Sequence, residues 1–195
     1  MLISSSFLFS QVTIDTSHNP YWLAINSLVG NGVTPYDIKF NGVLQTATSP
    51  VKDQAAQFLV NFNPNNIGFE ANSKGLLLTT GKSSVALVGP NNTNNLANAT
   101  NESASLVEGD SDLAQLSGHT IRKVSILEFD FVATGLSLNF DFVFGSEEYP
   151  EYVGTMFNDT FGFFLRGPGI TGPFSNNSKN FSNSACVVTL NASCR

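Results

Sequence analysis

The sequence predicts an all-β, antiparallel fold with one or two short helices, near the N-terminus and before the central strands. Three observations carry this. Between Ile126 and Leu165 three runs alternate apolar and polar residues: Leu127, Phe129 and Phe131 against Glu128 and Asp130; Leu138, Phe140, Phe142 and Phe144 against Asn139 and Asp141; then Phe161, Phe163 and Leu165. Period two marks half-buried strands, because successive side chains of a strand point to opposite faces. Charged residues are only 12% of the chain while Phe occurs 17 times, and Gly and Asn are frequent. That composition suits an extracellular β-protein rich in turns. At 195 residues the chain is one large domain, or a domain with an extension, with room for a sizeable core.

In chain order, Met1 to Ser10 read as the tail of a secretory signal peptide, with an apolar core interrupted by serines and no basic n-region. The alternative is a hydrophobic first strand, Phe7 to Ile14. Asn19-Pro20 opens a helix, Asn19 as cap and Pro20 at the first helical position. Trp22, Ile25 and Leu28-Val29 follow at helical spacing, and Gly30 or Gly32 stops the helix. Val33 to Phe40 reads as a strand with Asn41-Gly42 as its turn. Gln54 to Val60 is apolar but too short to choose between helix and strand. Asn63 to Asn66 is a turn, Leu76 to Thr80 a buried strand ending at Gly81, and Val85 to Val88 another short strand.

Residues 89–105 are Asn-rich and polar, a surface loop of unusual length. Asp110 or Ser111 then caps a single helical turn that Gly118 ends. Thr134-Gly135 is a hairpin-type turn between the first two alternating runs. After Leu165, Gly167-Pro168-Gly169 and Gly172-Pro173 punctuate loops, and Ala185 to Leu190 is a last strand. The Phe-alternating strands are core on this reading. The segment Ser146 to Asp159, acidic and aromatic together, is what packing does not account for.

Function classes narrow by chemistry. A net charge of −6 opposes nucleic-acid binding, which rests largely on Lys and Arg neutralising phosphates. No segment reaches the length of a transmembrane helix. Two histidines and two C-terminal cysteines, Cys186 and Cys194, do not suit a zinc site, and no G-x-S-x-G elbow is present. The redox state of the cysteines is left open. Glycoside cleavage needs two carboxylates about 5–10 Å apart. Glu147 and Glu148 are adjacent and point apart unless the backbone bends, with Glu151, Asp159 or Asp141 as the second group. No accompanying nucleophile or base supports catalysis.

Calcium suits the residues better, since it takes six to eight oxygen ligands. Asp110, Asp112, Glu147, Glu148, Asn158 and Asp159 form its candidate set, an irregular site drawn from several loops. Hydrogen bonding is the alternative: Asp110 as a helix cap, Asn158-Asp159 as an Asx-turn, and Glu147 or Glu148 paired with Arg122 or Arg166. Tyr149 and Tyr152, with Phe157, are candidates for a ligand platform or for part of the core.

The stretch LEFDFVATG…LNFDFVFGSEEYPEYV…FNDTFGFFLRGPGI, Leu127 to Ile170, resembles the signature of the choice-of-anchor L domain, a family of bacterial secreted and surface proteins frequent in Bacteroidetes. Lys74 to Asn92, Gly109 to Leu113 and the helix around Trp22 also resemble it, so the likeness runs from Tyr21 to about Asn180, and the chain departs from the pattern after that. The resemblance implies a secreted, jelly-roll-like β-sandwich occupying residues 11–195, incomplete at its C-terminus, with an anchor or sorting signal beyond Arg195. It implies a non-catalytic module for adhesion or structure, its partner a glycan or protein on a host or environmental surface. A carbohydrate-binding or glycan-cleaving module using residues 146–159 is the alternative. Fold alone supplies neither ligand nor reaction.

Overall fold

A computed structural model describes residues 12–60, 72–85, 108–145 and 159–182, and the backbone of 186–189. Among these residues the fold is mostly antiparallel strand with short helices, as the alternation and composition predict. The strands are β1 (Val12–Asp15), β2 (Val33–Phe40), β3 (Val43–Leu44), β4 (Ala55–Val60), β5 (Lys74–Leu78), β6 (Leu127–Ala133), β7 (Ser137–Phe140), β8 (Phe164–Leu165), β9 (Lys179–Asn180) and β10 (Cys186–Thr189). They pair in the orders β1-β4-β5, β3-β2-β6, β10-β7 and β8-β9. The expected signal peptide, the 63–66 turn and the 89–105 loop lie outside the described residues, as do Ala86 to Val88 and Cys194. β1 overlaps the alternative of a first strand ending at Ile14.

The N-terminal helix, α1 (Pro20–Leu23), forms where the cap chemistry places it. The Asn19 side chain accepts a hydrogen bond from the Trp22 amide at 2.9 Å, and Pro20 occupies the first turn, where its missing N–H costs nothing. The Asn19 side-chain amide also donates toward the carbonyls of Thr46, Ala47 and Ser49, so one buried residue anchors both the helix start and a distant loop. The helix continues in π geometry through Ala24–Leu28.

β2 and β3 form the expected hairpin. Asn41 and Gly42 both have positive φ, 48° and 76°, the requirement of a type I′ turn. One detail escapes the alternation. Between Tyr36 and Lys39 the β2–β6 register slips by a residue, with Asp37 at φ 48°. This bulge changes which parity faces inward: Val33 and Pro35 are half-buried before it, Ile38 and Phe40 buried after it.

The ambiguous Gln54–Val60 segment is strand β4, central between β1 and β5. In its register with β5, Phe58 lies opposite Gly75, where an added Cβ would stand 2.7 Å from the Phe58 ring. β5 begins and ends two residues earlier than Leu76 to Thr80 and is half-buried. The Thr79 amide donates to the Gln54 carbonyl at 3.0 Å, which prolongs the β4–β5 pairing by one residue.

Leu23, Phe40 and Ala55 join α1, β2 and β4 in one apolar core, with Trp22, Leu76, Leu78 and Leu127 packed on it. A second cluster gathers Phe131, Ala133, Leu138, Ile170 and Phe181 around Leu165. β6 contributes to both. Burial of such side chains stabilises by about 1.5–3 kcal/mol each when complete.

Two expectations are corrected. Thr134-Gly135 does not close a hairpin: β6 pairs with β2 and β7 with β10, so the turn carries the chain from one sheet to another. The Thr134 amide donates to Gly32 at 2.9 Å, which prolongs the β2–β6 contact to the end of the strand. The second alternating run is also not core throughout. Strand β7 stops at Phe140, and Phe142 and Phe144 are 38% and 48% exposed.

Candidate functional site

The departure of Phe142 and Phe144 from the core leaves an aromatic ladder at the surface. Phe140, Phe142 and Phe144 keep period-two spacing and meet the third alternating run. The Phe140 and Phe163 rings stack with centroids 4.0 Å apart and planes 8° from parallel. Phe142 rests on Phe161 at 4.9 Å, and Phe144 reaches the same ring at 6.2 Å. The ladder thus starts half-buried and ends on the surface, its outer rings backed by Phe161.

Backbone pairing holds this arrangement. The Asn180 side-chain carbonyl accepts from the amides of Phe163 at 3.1 Å and Ser182 at 3.0 Å, and the Phe181 amide donates to Phe163 at 2.8 Å. Around the outer end of the ladder lies an open recess of about 430 Å³. Phe142, Phe144 and Phe161 form its aromatic side. Asp159, Thr160, Ser117 and Ser182 supply a carboxylate and three hydroxyls, and Leu116 completes the lining.

Leu116 and Ser117 come from α2 (Ser111–Ser117), whose position is set by two members of the proposed calcium set, Asp110 and Asp112. Asp110 caps it, accepting from the Leu113 amide at 2.7 Å, and Gly118 closes it at φ 72°. Asp112 accepts from the Ser175 amide at 2.9 Å and hydroxyl at 2.8 Å, tying α2 to the 3-10 turn Ser175–Asn177. Asp110 therefore caps α2, the hydrogen-bonding alternative of the sequence reading, while Asp112 makes a tertiary hydrogen bond that the sequence reading did not name.

Asp159 lines the recess. Glu147, Glu148 and Asn158 lie outside the described residues, as do Tyr149 and Tyr152. Among the described residues no three His, Cys, Asp or Glu side chains gather closely enough to hold a metal ion. Arg166, a proposed partner for Glu147 or Glu148, contacts Asp130 at 3.2 Å, both side chains largely exposed.

Sequence reasoning missed Phe142, Phe144, Phe161 and Ser182 as lining residues. The available signal was position. Phe142 and Phe144 end their run just before Gly145 and the acidic segment, where a strand leaves its sheet.

A second polar arrangement sits at the N-terminus. The His18 ring stacks on Trp22 with centroids 3.5 Å apart and planes 12° from parallel, and its Nε2 lies 3.3 Å from Asp15. The Ser17 hydroxyl and amide hold the Asp15 carboxyl below the usual carboxylate range, and His18 adds to this.

The family model described as the Choice-of-anchor L domain matches residues 12–192, wider at both ends than the span carrying the resemblance in the sequence and continuing past Asn180. No curated protein and no solved structure matches the chain.

Proposed function

This chain belongs to the choice-of-anchor L domain family, and from that premise we propose that it is a non-catalytic, secreted adhesion module of a larger surface protein. Membership makes it a surface-associated module. No helix among the described residues is long and apolar enough to cross a membrane. The observation that supports adhesion is the recess at the outer end of the Phe140–Phe144 ladder. There, the residues that follow β7 present exposed aromatic faces beside a carboxylate and hydroxyls. Apolar walls with a few placed polar groups are the usual makeup of a ligand site.

Calcium enters this reading as a brace. With Asp110 engaged in a helix cap and Asp112 in its bond to Ser175, the proposed ligands are Glu147, Glu148, Asn158 and Asp159. Melting the chain with calcium and with chelator tests that part, and an unchanged melting temperature removes calcium from the proposal.

The adhesion part is tested by displaying the chain on an otherwise non-adherent bacterium or bead and measuring retention on host-cell and environmental surfaces. Retention lost on substituting Phe144 supports the module as the adhesive element. Retention equal to that of an undecorated bead overturns it.

A further inference from the structure

We propose that Asn31 is a site of spontaneous deamidation, and that the fold shields Asn41 from the same reaction. The sequence holds two Asn–Gly pairs, Asn31-Gly32 and Asn41-Gly42. Both are chemically primed. The backbone nitrogen that follows an asparagine can attack its side-chain Cγ, and glycine, with no Cβ, leaves that nitrogen least hindered.

The reaction balances with water alone. The glycine nitrogen gives up its proton to solvent and bonds to Cγ. The Cγ–Nδ2 bond then breaks, and ammonia leaves a five-membered imide. Water opens the ring at either carbonyl. One opening gives aspartate. The other gives isoaspartate, in which the main chain runs through Cβ and Cγ and is one carbon longer.

The fold holds the two amides differently. At Asn41 the side-chain carbonyl accepts from the Ile126 amide at 2.8 Å, and Nδ2 donates to the Gln54 side chain at 3.1 Å. The Asn41 backbone amide also donates to the Ile126 carbonyl at 2.9 Å. Gln54 is fully buried, so both ends of the Asn41 amide are tied to the interior side of the turn. The amide cannot turn onto Gly42 and lose its nitrogen while both ends are held. Reaction there waits on local opening of the turn, and only the opened fraction reacts.

Asn31 and Gly32 are exposed, in a turn that the Val33 amide closes on the Gly30 carbonyl at 3.4 Å, with Gly32 at φ 93°. The Asn31 side chain holds no hydrogen bond to another described residue. Its amide is free to rotate, and water reaches both the amide and the imide.

The products differ in consequence. The Gly32 carbonyl accepts from the Thr134 amide at 2.9 Å and hydroxyl at 3.3 Å, where β6 ends beside β2. Isoaspartate at position 31 displaces the residue making this contact, whereas aspartate adds one negative charge to a surface turn. Aspartate at position 41 would set an acceptor-only carboxylate against the Gln54 side-chain carbonyl, two acceptors with no proton between them. The fold thus steers this chemistry away from the network around Gln54 and onto an exposed turn.

The experiment incubates the full chain, folded and in urea, at mildly alkaline pH. Peptide mapping by mass spectrometry follows the mass gained at each site as an amide becomes an acid. Conversion at Asn31 at least about tenfold faster than at Asn41 in the folded chain, with the two rates converging in urea, is the expected result. Ion exchange of the folded chain should show an acidic species that accumulates with time and is absent from Asn31→Gln. Asn31 is exposed, so this variant should melt like the parent, and melting curves verify that. Equal rates at the two sites in the folded chain, or faster conversion at Asn41, overturn the proposal. A difference that persists unchanged in urea assigns it to local sequence and overturns the shielding. An acidic species retained in Asn31→Gln overturns Asn31 as the site.

Discussion

The ring of Phe163 lies flat on that of Phe140, centroids 4.0 Å apart and planes 8° from parallel. The contact joins β7 to the residues leading into β8, two segments that do not pair as strands with each other. It is therefore a side-chain bridge where no backbone ladder exists. Each ring is half-buried, so Phe140→Ala or Phe163→Ala should cost about 2–3 kcal/mol, below the full-burial range of 3–5. The double variant should show a coupling of about 0.5–1.5 kcal/mol in urea unfolding. Strict additivity would mean that the rings stabilise independently.

Gln54 should be the most sensitive polar residue in the first core. It is fully buried, and its side-chain amide donates to Val124 at 3.1 Å and Thr80 at 3.3 Å while its carbonyl accepts from Asn41 at 3.1 Å. The Asn41 side-chain carbonyl in turn accepts from the Ile126 amide at 2.8 Å. One side chain thus connects the β4 edge, the β2–β3 turn and the entry to β6. Gln54→Leu leaves these groups without a partner, and each orphaned group costs about 1–3 kcal/mol. A loss of about 3 kcal/mol or more in chemical unfolding is expected, and a loss below about 1 kcal/mol would mean water replaces Gln54.

These residues show what the sequence made legible. Local chemistry was readable: Asn19-Pro20 starts a helix, Asn41-Gly42 makes a hairpin turn, and Asp110 with Gly118 brackets α2, because each signal acts within a few residues. Pairing partners were not. Alternation makes Leu127–Phe131 and Leu138–Phe140 strands, but it carries no information on which strand lies alongside. A short turn between them suggested a hairpin that long-range registry with β2 and β10 overrides. The same limit governs the site. Asp159, proposed from the sequence as a calcium ligand, lines the recess. The aromatic wall was expected from Tyr149 and Tyr152, whereas Phe142 and Phe144 form it among the described residues, because alternation alone cannot tell where a half-buried face emerges into solvent. Gln54 gave no signal, since burial of a polar residue depends on partners up to 70 positions away.

Asp15 gives the fold an acid-sensitive contact. Its carboxyl is held below the ordinary range by Ser17, then by His18. A group whose pKa is lower folded than unfolded adds stability above its unfolded value, and that stability disappears as pH falls through the folded value. The window therefore opens near pH 4, the unfolded carboxylate value of about 3.9, and extends downward. The Asp15 side chain is 47% exposed, so solvent limits the effect to below about 1 kcal/mol. Trp22, the sole tryptophan, stacks on His18 and reports the region by its emission. Asp15→Asn should flatten the decline in stability below about pH 4 while leaving stability near pH 7 within about 1 kcal/mol. An unchanged acid slope would place the sensitivity in other carboxylates.

Asp110 separates capping from metal binding by a substitution that treats the two differently. Asn caps a helix about as well as Asp, whereas Ala does not. As a cap on the Leu113 amide at 2.7 Å, Asp110 should tolerate Asp110→Asn with a melting temperature within about 1 °C of the parent. Asp110→Ala should lose about 1 kcal/mol, or about 2–4 °C for a chain of this size. Neither difference should depend on calcium. A calcium ligand would behave otherwise: Asp110→Asn removes a charged oxygen, and the variant would fall behind the parent in calcium but not in chelator. The same pair of substitutions at Asp112 tests its bond to Ser175, where Asp112→Asn keeps an acceptor for the amide and hydroxyl it now holds at 2.9 and 2.8 Å. A calcium-dependent loss in either Asn variant would return that residue to the proposed ligand set with Asp159 and overturn its hydrogen bonding as its sole role.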